Sequence, residues 1–314
     1  MGEFSVVGAA GGLVNTIFSC NHHPQAQPNQ LAVSSSSSKS KRKTTTILPC
    51  YPQILKSKHT SRIISSSASI LSSSSSDLID FDERTSPLQV NKEIQRCYQL
   101  INRLGRGVVY LGSSRLGDDH PHYNQSLELA REVANLLDCT SWSGVGPGLM
   151  DAVTQGALEA GKAVGGFKIA KEAGEWTATN YHPYLPSDTY LTCRFFSARK
   201  HGLVDAAVRA SNSDRTAVIG LPGGIGTLDE IFEILTLIQL ERIGSVHPVP
   251  FILMNYDSFY SKLLEFLDQC KDEGTVGEGE VQSLWKVCDN NLDAITYLAK
   301  FYDLPPSEIT LTNN

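Results

Sequence analysis

Two kinds of apolar pattern alternate along the chain from about residue 86 onward. Short apolar runs rich in β-branched residues predict buried strands, and these runs are Val108–Gly112, Cys139–Ser143, Ala163–Phe167, Thr189–Arg194, Thr216–Leu221 and Val249–Met254. Longer segments with apolar residues three and four positions apart predict helices, which are Asn91–Leu104, Asn124–Leu137, 149–160, Phe196–Ala210, Gly226–Gln239 and Asp257–Gln269. Residues 275–304 are predicted to pack as terminal helices.

Strands that alternate with helices of this length predict βαβ units. We therefore expect a single α/β domain over residues 107–304, with a parallel sheet and helices on both faces. Residues 77–106 are interpreted as a linker and leading helix, and 305–314 as a tail. The polar, irregular stretch 170–188 is predicted to be a functional loop, because structureless loops longer than about 15 residues are uncommon in compact domains.

The first 76 residues have a different composition. They contain seven Lys or Arg, a single acidic residue (Glu3) and 19 serines, and they lack a periodic apolar face. A serine-rich, basic, acid-poor start is typical of an organelle transit peptide. We expect plastid import, with a mitochondrial or cytoplasmic location as alternatives, and a plain disordered tail as the competing interpretation of the segment.

Charge and cysteine content exclude several classes of protein. The net charge is −6, which argues against nucleic-acid binding through phosphate neutralisation, and no stretch of about 20 residues is apolar enough to predict a membrane helix. The seven cysteines are widely spaced and form no C-x-x-C pair, so neither a disulfide framework nor a zinc site is expected. The pair His120 and His122 could suggest a metal site, but no cysteine or carboxylate cluster completes it, so a pair of loop histidines is expected.

Three glycine- or serine-rich segments stand where predicted strands end. They are Gly112-Ser113-Ser114, the turn Ser143–Met150 with Gly144, Gly146 and Gly148, and Leu221–Glu230 with Gly223, Gly224, Gly226 and Thr227. Ligands of open parallel sheets bind beyond the carboxyl ends of the strands. Glycines allow close approach of the backbone, and a new helix presents free N–H groups, which is a combination that holds phosphate. The spacing fits neither a Walker motif nor a dinucleotide fingerprint.

Each of these signals also has a structural interpretation. Thr227 and Glu230 have the spacing of a helix capping box, and the turn at Ser143–Met150 is explained by a helix start alone. Arg199 and Lys200 are typical of a solvated helix face. If that helix points into the same crevice, however, Arg199 can pair with phosphate or with Glu230.

Taken together, these segments resemble the Lonely Guy family of cytokinin riboside 5′-monophosphate phosphoribohydrolases, long labelled lysine decarboxylases. The motifs that carry the resemblance are Gly112-Ser113-Ser114, Gly144-x-Gly146-Pro147-Gly148-Leu149-Met150, Phe195-Phe196-x-x-Arg199-Lys200 and Pro222-Gly223-Gly224-x-Gly226-Thr227-x-x-Glu230. The resemblance covers roughly residues 108–267. It implies a Rossmann-like α/β fold, a homodimer with a site shared between subunits, and no metal or organic cofactor.

The resemblance also implies roles for individual residues. Arg199 and Glu230 are the implied catalytic pair, and Gly223, Gly224, Gly226 and Thr227 the implied phosphate site. The further substrate-binding positions that it implies are Gly112, Ser113, Gly144, Gly146, Gly148, Lys200 and Thr236. The implied substrate is a nucleoside 5′-monophosphate, which is cleaved to free base and ribose 5-phosphate.

The chain departs from the family pattern at two positions. Val145 replaces a glycine, and Ser197 stands where the plant cytokinin enzymes have histidine. The resemblance also implies a substrate-binding glutamate in the loop 170–188, and the candidates for it are Glu172 and Glu175. These departures leave open a non-catalytic protein that binds nucleoside monophosphates. A pyridoxal-phosphate decarboxylase would need a lysine Schiff base, which no segment supports, and a scaffold protein remains a further alternative.

Overall fold

A computed structural model describes residues 86–169 and 181–305. The strands are β1 (Gly107–Leu111), β2 (Thr140–Ser143), β3 (Val164–Ile169), β4 (Tyr190–Cys193), β5 (Ala217–Gly220), β6 (Phe251–Met254) and β7 (Lys286–Cys288). The helices are α1 (Pro87–Leu104), α2 (Pro121–Leu137), α3 (Leu149–Glu159), α4 (Phe196–Ala207), α5 (Ile225–Gln239), α6 (Ser261–Asp272), α7 (Glu280–Leu284) and α8 (Asn291–Phe301).

The strands form one parallel sheet in the order β4-β3-β2-β1-β5-β6-β7. The chain runs outward from β1 to one edge, returns to the centre at β5 and then runs outward to the other edge. In such sheets the ligand crevice lies where the strand order reverses. Here the reversal lies between β1 and β5, whose carboxyl ends carry two of the predicted motifs.

Side chains that alternate along the strands fill two cores, one on each face of the sheet. Val108 and Tyr110 of β1 pack with α2, α3 and α8, whereas Val109 and Leu111 pack with α1, α4 and α5. All five residues of β1 are buried, as expected for a strand covered on both faces. The predicted α/β, Rossmann-like fold class is therefore confirmed.

Several bounds of the predicted elements were wrong. Helices α1 and α2 begin at Pro87 and Pro121, four and three residues earlier than predicted, with proline in the first turn of each. Residues 286–288 form the edge strand β7 within a stretch that was predicted to be helical. Helix α6 begins at Ser261, because Asp257 and Ser258 adopt positive φ values of 49° and 60°, which an α-helix cannot contain. Helix α4 ends at Ala207, three residues earlier than predicted, because Val208 is extended.

Part of the predicted functional loop, residues 170–180, lies outside the described residues, and so do the transit segment and its boundary. Residues 181–189 form an irregular connection to β4. No helix in the described ranges is long and apolar enough to cross a membrane.

Candidate active site

A cavity of about 470 Å³ lies over the carboxyl ends of the central strands, within the size range of roughly 300–1,000 Å³ that is usual for small-molecule sites. Its lining comes from the β1 loop Gly112–Arg115, from the start of α5 (Gly224–Thr227 and Glu230), and from Met150, Ile169, Phe196 and Arg199. We call it the central cavity.

Backbone hydrogen bonds hold the walls of the central cavity together. The N–H of Ser113 donates to the carbonyl of Pro222 at 3.1 Å, which joins the β1 loop to the segment after β5. The carbonyl of Ser113 accepts from the N–H of Leu149 at 2.9 Å, which joins the same loop to the start of α3. Three chain segments that are distant in sequence are thus held together at the carboxyl ends of the central strands.

The first turn of α5 presents its backbone to the cavity. The helix begins at Ile225, with Gly224 as its N-cap and no side-chain cap. The first N–H groups of a helix lack intrahelical acceptors and carry its positive dipole end. A Cβ added at Gly224 or Gly226 would meet no atom within 4 Å, so both glycines face open space. This arrangement suits an anion such as phosphate.

The capping-box interpretation of Thr227 and Glu230 was wrong. Thr227 lies inside α5, and no side chain caps this helix. The carboxylate of Glu230 instead accepts a hydrogen bond from Nη1 of Arg199, across the gap between α5 and α4. The interpretation of Arg199 as part of a solvated helix face was also wrong, since the residue is only 5% exposed.

Two further contacts fix Arg199. Its Nε donates to the carbonyl of Phe167 in β3 at 2.9 Å, and its guanidinium lies 5.7 Å from the ring centre of Phe196. A planar guanidinium with fixed donors on two sides has little freedom to rotate. The pair Arg199 and Glu230 is therefore a rigid feature of the cavity wall.

The glycines Gly144, Gly146, Gly148 and Gly223 of the second and third motifs do not line the central cavity. Gly144 packs directly against the guanidinium of Arg199 and the sulfur of Met150, and Gly148 packs against the backbone of Ser113 and Ser114 at a φ of +71°. Gly223 packs against the side chain of Thr227. Gly146 is buried and does not line the cavity. These glycines support the walls rather than forming their surface.

Lys200 and Thr236 do not lie in the central cavity. The ammonium of Lys200 pairs with Asp229 and Glu233, each at 2.8 Å. Burial lowers the pKa of Lys200, but hydrogen bonds to both carboxylates outweigh this effect and raise it overall. Thr236 lines a separate depression on the outer face of α5. The substrate roles predicted for Lys200 and Thr236 stay predictions.

The two departures from the family pattern also lie away from the cavity lining. Val145 has a φ of +43°, a conformation that favours glycine, and its side chain packs in the core with Ala134 and Tyr190. Ser197 is exposed on the first turn of α4. Glu172 and Glu175 lie outside the described residues.

The buried carboxylate of Asp151, the residue after Met150, links α3 to neighbouring parts of the chain through hydrogen bonds. The carboxylate of Asp151 accepts hydrogen bonds from the hydroxyls of Tyr123 and Tyr184 and, at 2.8 Å, from the amide of Gln155. Burial, followed by the bond to Asp151, raises the pKa of both tyrosines. These bonds anchor the residues that precede β4 against α3.

Sequence reasoning missed two residues at this site. Glu93 of α1 accepts from the backbone N–H groups of Arg194 and Phe195, at 2.9 and 2.8 Å, and so anchors the start of α4. Arg115 lines the cavity directly after Gly112-Ser113-Ser114. Its position beside a strand-end motif was an available signal, whereas nothing local marks Glu93.

The sequence of this chain is similar to a protein-family model and to several known proteins. Residues 150–298 match the family model described as "Possible lysine decarboxylase". A probable cytokinin riboside 5′-monophosphate phosphoribohydrolase of Oryza sativa subsp. japonica is 34% identical over 56% of this chain and 74% of its own length. Two cytokinin riboside 5′-monophosphate phosphoribohydrolases of Arabidopsis thaliana are 31% and 30% identical, over 56% and 60% of this chain and 74% and 78% of their own lengths.

Two solved structures are similar in fold to part of this chain. The molybdenum cofactor binding protein from Rippkaea orientalis is 15% identical, with a TM-score of 0.40 over 63% of this chain and 98% of that chain. The molybdenum cofactor carrier protein from Chlamydomonas reinhardtii is 16% identical, with a TM-score of 0.40 over 62% and 98%. On the sequence relationships to the rice and Arabidopsis proteins, this chain belongs to the Lonely Guy (LOG) family.

Proposed function

We propose that this chain is a hydrolase that cleaves the N-glycosidic bond of a nucleoside 5′-monophosphate. The observation that carries the proposal is the buried pair Arg199 and Glu230, which lines the same cavity as the uncapped start of α5. A phosphate held by the N–H groups of that helix start lies about one helical turn from Glu230, and this spacing brings the attached ribose near the carboxylate.

The chemistry needs a negative group close to C1′ of the ribose. As the C1′–N bond breaks, its electron pair leaves with the base and positive charge develops at C1′. The carboxylate of Glu230 stabilises that charge and orients the water whose oxygen forms the new bond. The water gives up one proton and the departing base nitrogen gains one, so the products are free base and ribose 5-phosphate.

Arg199 positions the carboxylate. Its bonds to Glu230 and to the carbonyl of Phe167 hold both side chains in place before substrate arrives. Such preorganisation avoids the cost of reorienting dipoles during the reaction. No metal or organic cofactor is required for this chemistry.

The base is proposed to be a cytokinin, in keeping with the printed names of the rice and Arabidopsis relatives. Apolar side chains line the cavity beside the polar helix start, and they are Met150, Ile169, Phe196 and Ile225. The phenyl ring of Phe196 is exposed enough to stack on a planar base. An isopentenyl substituent suits the aliphatic members of this wall.

A non-catalytic protein that binds nucleoside monophosphates is the alternative. The reasons for it were the changes at Val145 and Ser197, and neither side chain lines the central cavity. This placement favours the hydrolase over the binding protein.

The hydrolase is tested by incubating the protein with a panel of 5′-monophosphates, including AMP and isopentenyladenosine monophosphate, and detecting free base by chromatography. We expect equal amounts of base and ribose 5-phosphate, with the isopentenyl compound preferred. Turnover of AMP alone would contradict the cytokinin assignment but not the reaction. Binding without base release would favour the non-catalytic alternative.

We also propose that the protein works as a homodimer through the outer face of α5. This face carries Ile225, which is 88% exposed, together with Phe232 and Thr236. With Leu228 and Leu237, the residues Ile225 and Phe232 form an apolar patch on this face, and contiguous exposed apolar patches typically mark interfaces. Sedimentation of the wild type should give a dimer, and Phe232→Glu should give a monomer.

Import into plastids is proposed from the composition of residues 1–76. A fluorescent protein fused after residue 76 should accumulate in chloroplasts, and fusion to a chain that begins at residue 77 should not. Accumulation in mitochondria or the cytoplasm would contradict the proposal.

A further inference from the structure

We propose that Arg115 is a substrate-binding residue that makes the central cavity selective for a phosphomonoester anion. This inference deepens the proposed function and rests on it. Arg115 belongs to the β1 loop and lines the cavity together with the start of α5. Its backbone N–H donates to Oγ of Ser113 at 3.1 Å, which fixes the loop that carries the side chain.

The charges around the cavity are unevenly matched. Among the residues that the structure describes, the cationic side chains on or beside its walls include Arg115, Arg199 and Lys200. The charge of Arg199 is matched by Glu230, and that of Lys200 by Asp229 and Glu233 on a different face of α5. Within residues 86–169 and 181–305, no carboxylate forms an ion pair with Arg115.

A phosphomonoester brings more negative charge than the rest of the cavity can match. It carries a charge of about −1.5 to −2 near pH 7, whereas a helix start is equivalent to roughly half a positive charge. Glu230 and Arg199 cancel each other. Among the described lining residues, Arg115 is therefore the one whose side chain supplies a net positive charge for the anion.

The geometry of the β1 loop supports the same conclusion. Ser113 is bonded to Pro222 and to Leu149 through its backbone, so the base of Arg115 is held next to the segment that leads into α5. Arg115 itself is exposed, and its long side chain is free to reach an anion seated at Gly224 and Gly226. A guanidinium offers two parallel N–H donors to phosphate oxygens.

The test is equilibrium binding by titration calorimetry with ribose 5-phosphate as the charged probe and adenosine as the neutral one. The variants are Arg115→Gln, Arg115→Lys and, as matched control, Arg96→Gln, which removes an exposed arginine of α1 outside the cavity. We expect Arg115→Gln to weaken ribose 5-phosphate binding about tenfold, as for loss of a hydrogen bond to a charged group. Adenosine binding should not change.

The remaining variants and the salt concentration test whether the positive charge at position 115 is what binds the phosphate. Arg115→Lys should retain most of the affinity for ribose 5-phosphate, and Arg96→Gln all of it. Raising the salt concentration should weaken the wild type more than Arg115→Gln, because an exposed charge pair is screened. Unchanged affinity in Arg115→Gln, or equal loss for adenosine, would overturn the inference, and so would a wild type that does not bind ribose 5-phosphate.

The outcomes separate this inference from the proposed function. A wild type that binds ribose 5-phosphate through Arg115 but releases base from no monophosphate supports the role of Arg115 and contradicts the hydrolase. Normal base release with normal ribose 5-phosphate affinity in Arg115→Gln supports the hydrolase and contradicts the role of Arg115.

Discussion

Arg199 and Glu230 form a buried ion pair that joins helices α4 and α5 at the wall of the central cavity. The guanidinium also donates a hydrogen bond from Nε to the carbonyl of Phe167, at 2.9 Å. Because α4 follows β4 and α5 follows β5, the pair connects the two halves of the sheet on either side of β1. The contribution of this pair to the stability of the protein and its contribution to activity can be tested separately.

Arg199→Met is expected to destabilise the protein. It leaves the carboxylate of Glu230 largely buried without its cation, a change that costs about 3–5 kcal/mol in buried pairs. The double variant Arg199→Met with Glu230→Leu should recover much of that loss, because apolar residues of similar volume often replace a buried pair at little cost. Urea unfolding measures both. A double variant less stable than Arg199→Met would contradict this account of the pair.

Gly144→Ala is expected to lower activity more than stability. The added methyl group would lie 2.6 Å from the sulfur of Met150 and would displace the guanidinium of Arg199. The thioether of Met150 can move aside and the guanidinium can shift slightly while it stays paired with Glu230, so the fold can adapt. The pair is then displaced from the position that it has in the wild-type cavity. We expect kcat to fall at least about tenfold, since small displacements of catalytic groups are costly, while the melting temperature shifts by only a few degrees.

Gly148→Ala is the matched comparison, with the opposite expectation. Its methyl group would lie 2.7 Å from the carbonyl carbon of Ser114, at a φ of +71°. Backbone cannot move aside as a side-chain end does, so this variant should lose stability. A Gly144→Ala variant that melts as early as Gly148→Ala, or that keeps full kcat, would show that Gly144 does not act through Arg199.

His182 is expected to make stability depend on pH between about 4 and 6.5. Burial lowers the pKa of His182 to about 4, opposed by Asp151 and reinforced by Lys168. Its Nδ1 accepts from the N–H of Leu185 at 3.1 Å, a bond that protonation of that nitrogen would break. The unfolded chain binds a proton on His182 below its ordinary pKa of about 6.5, whereas the folded protein does not.

Stability contributed by neutral His182 is therefore present above pH 6.5 and is lost as the pH falls toward 4. The contribution is on the order of 1–2 kcal/mol, after allowance for partial solvent screening. Urea unfolding at pH 7 and pH 5 should show a larger drop for the wild type than for His182→Gln. If the free energy of unfolding falls equally in the two proteins between pH 7 and pH 5, groups other than His182 cause the pH dependence.

The elements of the central sheet were predictable because buried parallel strands are continuous apolar runs. Val108 to Leu111 and Ala217 to Gly220 are such runs, and both lie where predicted. The edge strand β7 was missed because it has three residues and only Cys288 is buried. The start of α6 was missed because apolar spacing carries no information on the left-handed backbone of Asp257 and Ser258.

The candidate site was predictable where its residues follow a strand directly. Gly112, Ser113 and the segment Gly224–Thr227 line the cavity because parallel strands end at one edge. The separation of Arg199 from its neighbour Lys200 could not be predicted, because adjacent residues on a helix point about 100° apart and tertiary packing decides which faces the cavity. The contact of Glu93 with Arg194 and Phe195 spans about 100 residues and leaves no local pattern.

The central claim is that the carboxylate of Glu230 acts on the N-glycosidic bond, and Glu230→Gln tests it most directly. The control is Glu233→Gln, the same change one helical turn along α5, at a residue that pairs with Lys200 instead. With a nucleoside 5′-monophosphate that the wild type hydrolyses, we expect base release to fall at least about 100-fold in Glu230→Gln and to change little in Glu233→Gln. Monophosphate binding should persist in both. Base release by Glu230→Gln at the wild-type rate would contradict the claim.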